Sequence, residues 1–185
     1  MKILLLICII VTAIIPYFQL CIGIAKDKVK QNFATWLLWL ILDSVVLMGI
    51  IAQHGDIALF SVFTAGTFAV TAVLIIKQQF SWKWFETLVT GLVVVCIIIY
   101  LTSGPYMAVI ATTVALNIAG IPQIVLTYKD PKTASASAYF FFMSSSILAV
   151  INAPAWTVPD RLPQISAAIF CLIVFLLSLR RSKEK

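Results

Sequence analysis

Asp43 sits in the middle of an unbroken apolar run, preceded at helical spacing by Trp36 and Trp39. The intervals i, i+3, i+7 place all three on one stripe of a helix. An acidic side chain at the centre of a lipid-spanning helix costs on the order of 2.5–3.5 kcal/mol, so it is expected where it meets water, a partner or a substrate. The alternative is a protonated carboxyl bonded to a neighbouring helix. Aromatic faces suit sugar rings and cations, and a carboxylate beside them favours a cation or a proton. Trp36 also falls where an interfacial aromatic belt belongs. This is the chemistry of binding, not of bond-making. The chain has one His, His54, no paired carboxylates, no nucleophile–base set and no phosphate-cradling glycine loop. No enzyme activity, catalytic residue, cofactor or metal is therefore expected.

The elements that must position these residues are transmembrane helices. Of 185 residues, 62% are hydrophobic and 11% charged, where soluble domains carry about 25% charge. A core of this size could not hide so much apolar surface, so the bilayer is the solvent. Runs of roughly 20 apolar residues fall near 3–25, 33–53, 57–76, 84–102, 105–128, 135–153 and 162–179. Helices are required, because lipid offers no partner to a free backbone group. Cys8, Cys21, Cys96 and Cys171 all lie within or beside these runs, without a CxxC pair, and read as small apolar residues.

The net charge of +6 is distributed as topology and gives no sign of nucleic acid. Alternate breaks and the C-terminal tail hold Lys26, Lys28 and Lys30; Lys77 and Lys83; Lys129 and Lys132; and Arg180, Arg181, Lys183 and Lys185. These are eleven of the thirteen Lys and Arg, with only Lys2 and Arg161 on the other side. The positive-inside rule then puts the N-terminus outside and the C-terminus in the cytoplasm. Met1-Lys2 and the run after it resemble a signal peptide, but the cleavage signal is poor and the run has a later counterpart, so retention is expected.

That counterpart is an internal repeat. Ile15-Pro16 through Lys26-Asp27-Lys28 is echoed by Ile121-Pro122-Gln123 through Lys129-Asp130-Pro131-Lys132. Beyond the loop the echo runs at an offset of 103: Asn32 falls on Ser135, Trp36 on Tyr139, Trp39 on Phe142 and Asp43 on Ser146. Two parallel three-helix units follow, residues 1–80 and 105–185, joined by a linker helix at 81–104, with an approximate two-fold axis along the membrane normal. Two aromatic stripes facing each other across that axis would line a cavity, acidic at Asp43 and hydroxylic at Ser146.

The Pro122-Gln123 pair, ahead of a basic loop, resembles the PQ-loop motif. The 3+1+3 plan is similar to that of the SWEET transporters and the wider PQ-loop superfamily. The first copy departs from the pattern, since Tyr17 and Phe18 separate Pro16 from Gln19. Each Pro removes a helical hydrogen bond and kinks its helix; the resemblance implies that Pro16 and Pro122 are hinges. Gln19 and Gln123 are placed to satisfy the freed carbonyls. The asparagine pair that SWEETs use for sugar is missing from 57–76 and 162–179, whereas Asp43 is similar to the embedded acid of proton-coupled amino-acid exporters of that superfamily.

Asn117, about a turn from Pro122, is expected at the cavity or at a freed carbonyl. Asn152 ends span six. Ser61, Thr64, Thr67, Thr71 and Gly66 read as close helix packing, and Glu86 as an interfacial charge near Lys83. The expectation is a multi-pass protein of a plasma or bacterial inner membrane, working by alternating access. It carries a small polar solute (amino acid-like, cationic or sugar-like), coupled to protons through Asp43, and is compatible with oligomers. The alternative is a receptor or sensor that binds such a ligand without moving it.

Overall fold

The computed structural model describes residues 2–27, 31–78, 80 and 84–180. Residue 81, where the expected linker begins, lies outside them. So do Lys28, Lys30, Lys83, Arg181, Lys183 and Lys185, which carry part of the charge alternation. All regular structure among the described residues is helical. The helices are α1 (Lys2–Ala25), α2 (Phe33–Ala52), α3 (Ala58–Ile76), α4 (Trp84–Lys129), α5 (Ala136–Asn152) and α6 (Val158–Ser178), with a 3-10 turn at Pro131–Thr133. Five helices are long and apolar enough to cross a membrane, and α5, at 17 residues, is apolar but shorter. Phe18, Phe68, Leu101 and Ile169 are among the large apolar side chains left on the outer surface, where only lipid suits them. The chain is an all-α, multi-pass membrane protein.

The 46 residues of α4 would measure about 69 Å if straight, more than twice the hydrocarbon core. They do not run straight. Gly104 has φ 84 and ψ 174, a region essentially closed to side-chain-bearing residues, and breaks the helix into stretches 84–103 and 105–129. Pro105 follows, its missing N–H harmless at the first position of a new helix. The two stretches fold back on each other, for Val89, Val93 and Cys96 share a core cluster with Ala115 and Ala119.

Local sequence sets the other boundaries. Asn32 caps α2, its Oδ1 accepting from the Ala34 and Thr35 amides at 2.9 and 3.4 Å. Ser135 caps α5, accepting from the Ala138 amide at 3.4 Å. These are the two positions that the 103-residue offset equates. The last helix starts at Val158, not at 162, because Thr157 caps it and Pro159 occupies a first-turn position where no N–H is needed.

In packing, α1 lies on α3 and α5, α2 on α3 and α4, and α6 on α4 and α5. The helices thus close a ring in the order α1–α3–α2–α4–α6–α5. Asp27 and Lys77 form an ion pair of 2.7 Å between the ends of α1 and α3, and Arg180 lies over Tyr128 at the ends of α6 and α4. This is the basic end of the ring. The α2–α3 and α5–α6 connections lie at the opposite end.

Candidate functional site

A cavity of about 740 Å³ runs inside the ring, within the range of ordinary small-ligand sites. It reaches the basic end at Gln31, Asn32, Glu86, Thr133 and Ser135, and its floor lies at Phe60 and Pro163 near the starts of α3 and α6. No residue of the α2–α3 or α5–α6 connections lines it.

Six aromatic rings close a loop around it, each touching the next edge to face. Trp36 meets Trp39 at 5.3 Å between centroids, Trp39 meets Phe170 at 6.3 Å, and Phe170 meets Tyr139 at 6.5 Å. Tyr139 meets Phe142 at 6.2 Å, Phe142 meets Tyr17 at 4.9 Å, and Tyr17 returns to Trp36 at 6.4 Å. Edge-to-face geometry sets the positive edge of one ring against the negative face of the next. The expected stripes of α2 and α5 therefore both reach the cavity. They are joined by two rings from other helices, Tyr17 of α1 and Phe170 of α6.

Glycines seat these two rings. A Cβ on Gly66 would collide with the ring of Tyr17, and one on Gly120 with the ring of Phe170. Gly66 of α3 lets α1 approach with a tyrosine between them, and Gly120 of α4 does the same for α6 with a phenylalanine. The two contacts invert which helix carries the ring and which the gap.

Asp43 lines the cavity one turn beyond Trp39, 5% exposed, with Thr67 of α3 beside it. Thr67 is thus a cavity residue, not only a packing one; its hydroxyl also donates to Phe63 O at 2.9 Å. Asn117 lines the cavity as well, donating to Thr113 O at 2.7 Å and to the Ser166 hydroxyl. It does not reach a carbonyl freed by Pro122. Glu86 is buried, accepts from Asn32 Nδ2 at 2.6 Å and faces the cavity mouth at the basic end, while Lys83, its expected neighbour, lies outside the described residues. Trp36 donates from Nε1 to Gln31 Oε1 at 3.1 Å and is buried, which takes it out of any lipid-facing belt.

Three expected residues stand apart from the lining. Ser146 is fully buried with its hydroxyl on Phe142 O at 2.9 Å, so the hydroxyls of the second wall come from Thr113 and Ser166 instead. Pro16 is buried outside the cavity, and Gln19 is exposed, its Oε1 accepting from the Ser137 hydroxyl at 3.4 Å. Pro122 and Gln123 do line the cavity, but Gln123 donates to Thr127 Oγ1 at 3.1 Å rather than to a carbonyl. Neither glutamine caps its proline's kink. The partner of Gln123 is one turn along its own helix, and that of Gln19 comes from α5.

The opposite end is closed by a polar clasp. Asn152 at the end of α5 donates to Asp56 Oδ2 at 2.6 Å, and the Asp56 amide donates to Asp160 Oδ1 at 3.1 Å. Thr157 donates to the other oxygen of Asp160 at 2.7 Å, and Asp56 Oδ1 accepts from the Ala58 amide at 2.9 Å. A Cβ on Gly55 would stand 2.7 Å from Asp160 Oδ1, so only glycine admits the carboxylate this close. Arg161 braces the same connection, donating to Val150 O at 2.6 Å and lying 3.7 Å over the Trp156 ring.

Among the described residues no group of His, Cys, Asp and Glu side chains is arranged to hold a metal ion. No protein-family model, curated protein or solved structure matches the chain.

Proposed function

We propose that this protein is a transporter or facilitator of a small polar solute, working by alternating access between two triple-helix units. The units are residues 1–80 and 105–185, with 81–104 as a linking span. Counting the two stretches of α4 separately gives seven crossings, and the positive-inside rule directs the basic end to the cytoplasm.

The observation that carries this reading is a cavity open toward one end and clasped at the other, lying between helices that pair alike in both units. In the first unit the third helix, α3, packs on α1 and α2; in the second, α6 packs on α4 and α5. The seam between units is α1 on α5 and α2 on α4. The clasp joins Asp56 of the first unit to Asn152 and Asp160 of the second, across that seam. Rocking about the seam would open the clasp as the basic end closes, with Pro16 and Pro122 as hinges and Asp43 as the group that couples flux to protons. The PQ-loop resemblance points the same way.

Purified protein in proteoliposomes is expected to carry at least one of a panel of sugars, amino acids and organic amines, saturably and faster than protein-free vesicles. Binding of a panel member with no flux of it would make the protein a receptor, and no flux of any member contradicts transport.

A further inference from the structure

Among the described residues the cavity is one-sided in charge: its lining holds two carboxylates, Asp43 at mid-helix and Glu86 at the mouth, and no Lys, Arg or His. Glu86 is engaged by Asn32, but Asp43 meets no basic side chain, the one ion pair between described residues being Lys77–Asp27 at the surface. A carboxylate removed from water without a cation is costly, and the cost is relieved when the ligand brings the positive charge.

Several of the other polar groups of the lining are already committed to the chain itself. Thr113 donates to Val109 O at 2.7 Å, Thr67 to Phe63 O at 2.9 Å, and Asn117 to Thr113 O and Ser166. A sugar needs several free donors and acceptors around its ring, and an amino acid needs a basic partner for its own carboxylate. The described lining has no basic side chain for such a carboxylate, and the free donors that remain at the rings are the Tyr17 and Tyr139 hydroxyls and the Trp39 indole N–H. What remains is a carboxylate next to a closed loop of six aromatic rings, whose faces are negative and attract cations.

We infer that the aromatic loop and Asp43 form a binding site for a monovalent organic cation with no carboxylate of its own, either an arylalkylamine or a quaternary ammonium. The assignment rests on the reading of this cavity as the translocation site. The ammonium group lies at Asp43 with its apolar body among Trp39, Tyr139 and Phe170.

The test is calorimetric titration of the full chain in nanodiscs, against empty nanodiscs, with phenethylamine, 2-phenylethanol, phenylalanine and glucose. Tetraethylammonium is a second cation, and phenethylamine flux is followed in proteoliposomes. Phenethylamine is expected to bind at least about tenfold tighter than the alcohol or the amino acid. Asp43→Asn should lose that preference and Asp43→Glu retain part of it, at unchanged thermal unfolding. If Asp43→Asn does not fold, Trp39→Leu, which shortens the loop but keeps the charge, should weaken both cations and leave glucose unaffected. Equal binding of the alcohol, tighter binding of phenylalanine or glucose, or no saturable binding of either cation at millimolar concentration overturns the assignment. So does a preference that survives Asp43→Asn. Amine binding without amine flux keeps this site and overturns transport, whereas flux of glucose or phenylalanine but not of amine keeps transport and overturns this site.

Discussion

Tyr17 reaches the cavity only because the residue facing it on α3 is Gly66. A methyl group there must displace the ring, since the atoms it would meet belong to a packed aromatic and not to the tip of a flexible chain. Gly66→Ala is expected to destabilise the protein by about 1–3 kcal/mol, the usual range for overpacking. Tyr17→Ala should cost as a large-to-small change does, but the double variant should be more stable than the sum of the two, because losing the ring removes the clash and the added methyl takes up part of the space it leaves. Thermal unfolding in one detergent measures all three. Additive losses would mean the two residues do not touch. Trp36, Trp39, Tyr139, Phe142 and Asp43 were legible in the sequence, because helical spacing and a constant offset are both one-dimensional signals. Tyr17 and Phe170 were not, since each depends on a glycine in another helix. The contact of Glu86 with Asn32 was not legible for a related reason, since the two lie more than fifty residues apart.

At the scale of the helix, the decisive position is Gly104. Nothing lies within 4 Å of a Cβ built there, so any penalty on substitution is purely one of backbone conformation. With φ at 84, Gly104→Ala is expected to cost about 1–3 kcal/mol. It should lower the thermal midpoint without altering the cavity. An unchanged midpoint would mean that α4 can turn elsewhere. The break itself was readable from Ser103-Gly104-Pro105, as were the starts of α2 and α5, because capping residues and glycine–proline pairs act locally. The start of α6 was not, because Pro159 and Pro163 look like loop residues until Thr157 is seen to cap a helix that tolerates Pro in its first turn. Gln19 and Gln123 are engaged otherwise than expected, Gln19 accepting from Ser137 of α5 and Gln123 donating to Thr127, and a sequence does not rank such choices.

For the whole molecule, apolar length made the membrane class and the positions of the long helices plain. The clasp was invisible, because Asp56, Asn152 and Asp160 come from two connections about a hundred residues apart and look like ordinary loop polarity. Yet the clasp ties the closed end together across the seam, above the apolar core of Ile50, Leu59, Phe60 and Val109, and a closed end is what alternating access requires. The most direct measurement is therefore sided labelling of a single cysteine, Ala167→Cys on the cavity wall, in a chain whose four native cysteines are replaced by serine. A membrane-impermeant maleimide is applied to vesicles from one side or the other. The account predicts labelling from the basic side in the parent, and a gain of labelling from the opposite side when Asp56→Ala and Asn152→Ala release the clasp. Labelling that stays on the basic side after the clasp is cut, or that occurs from the opposite side while it is intact, would contradict it.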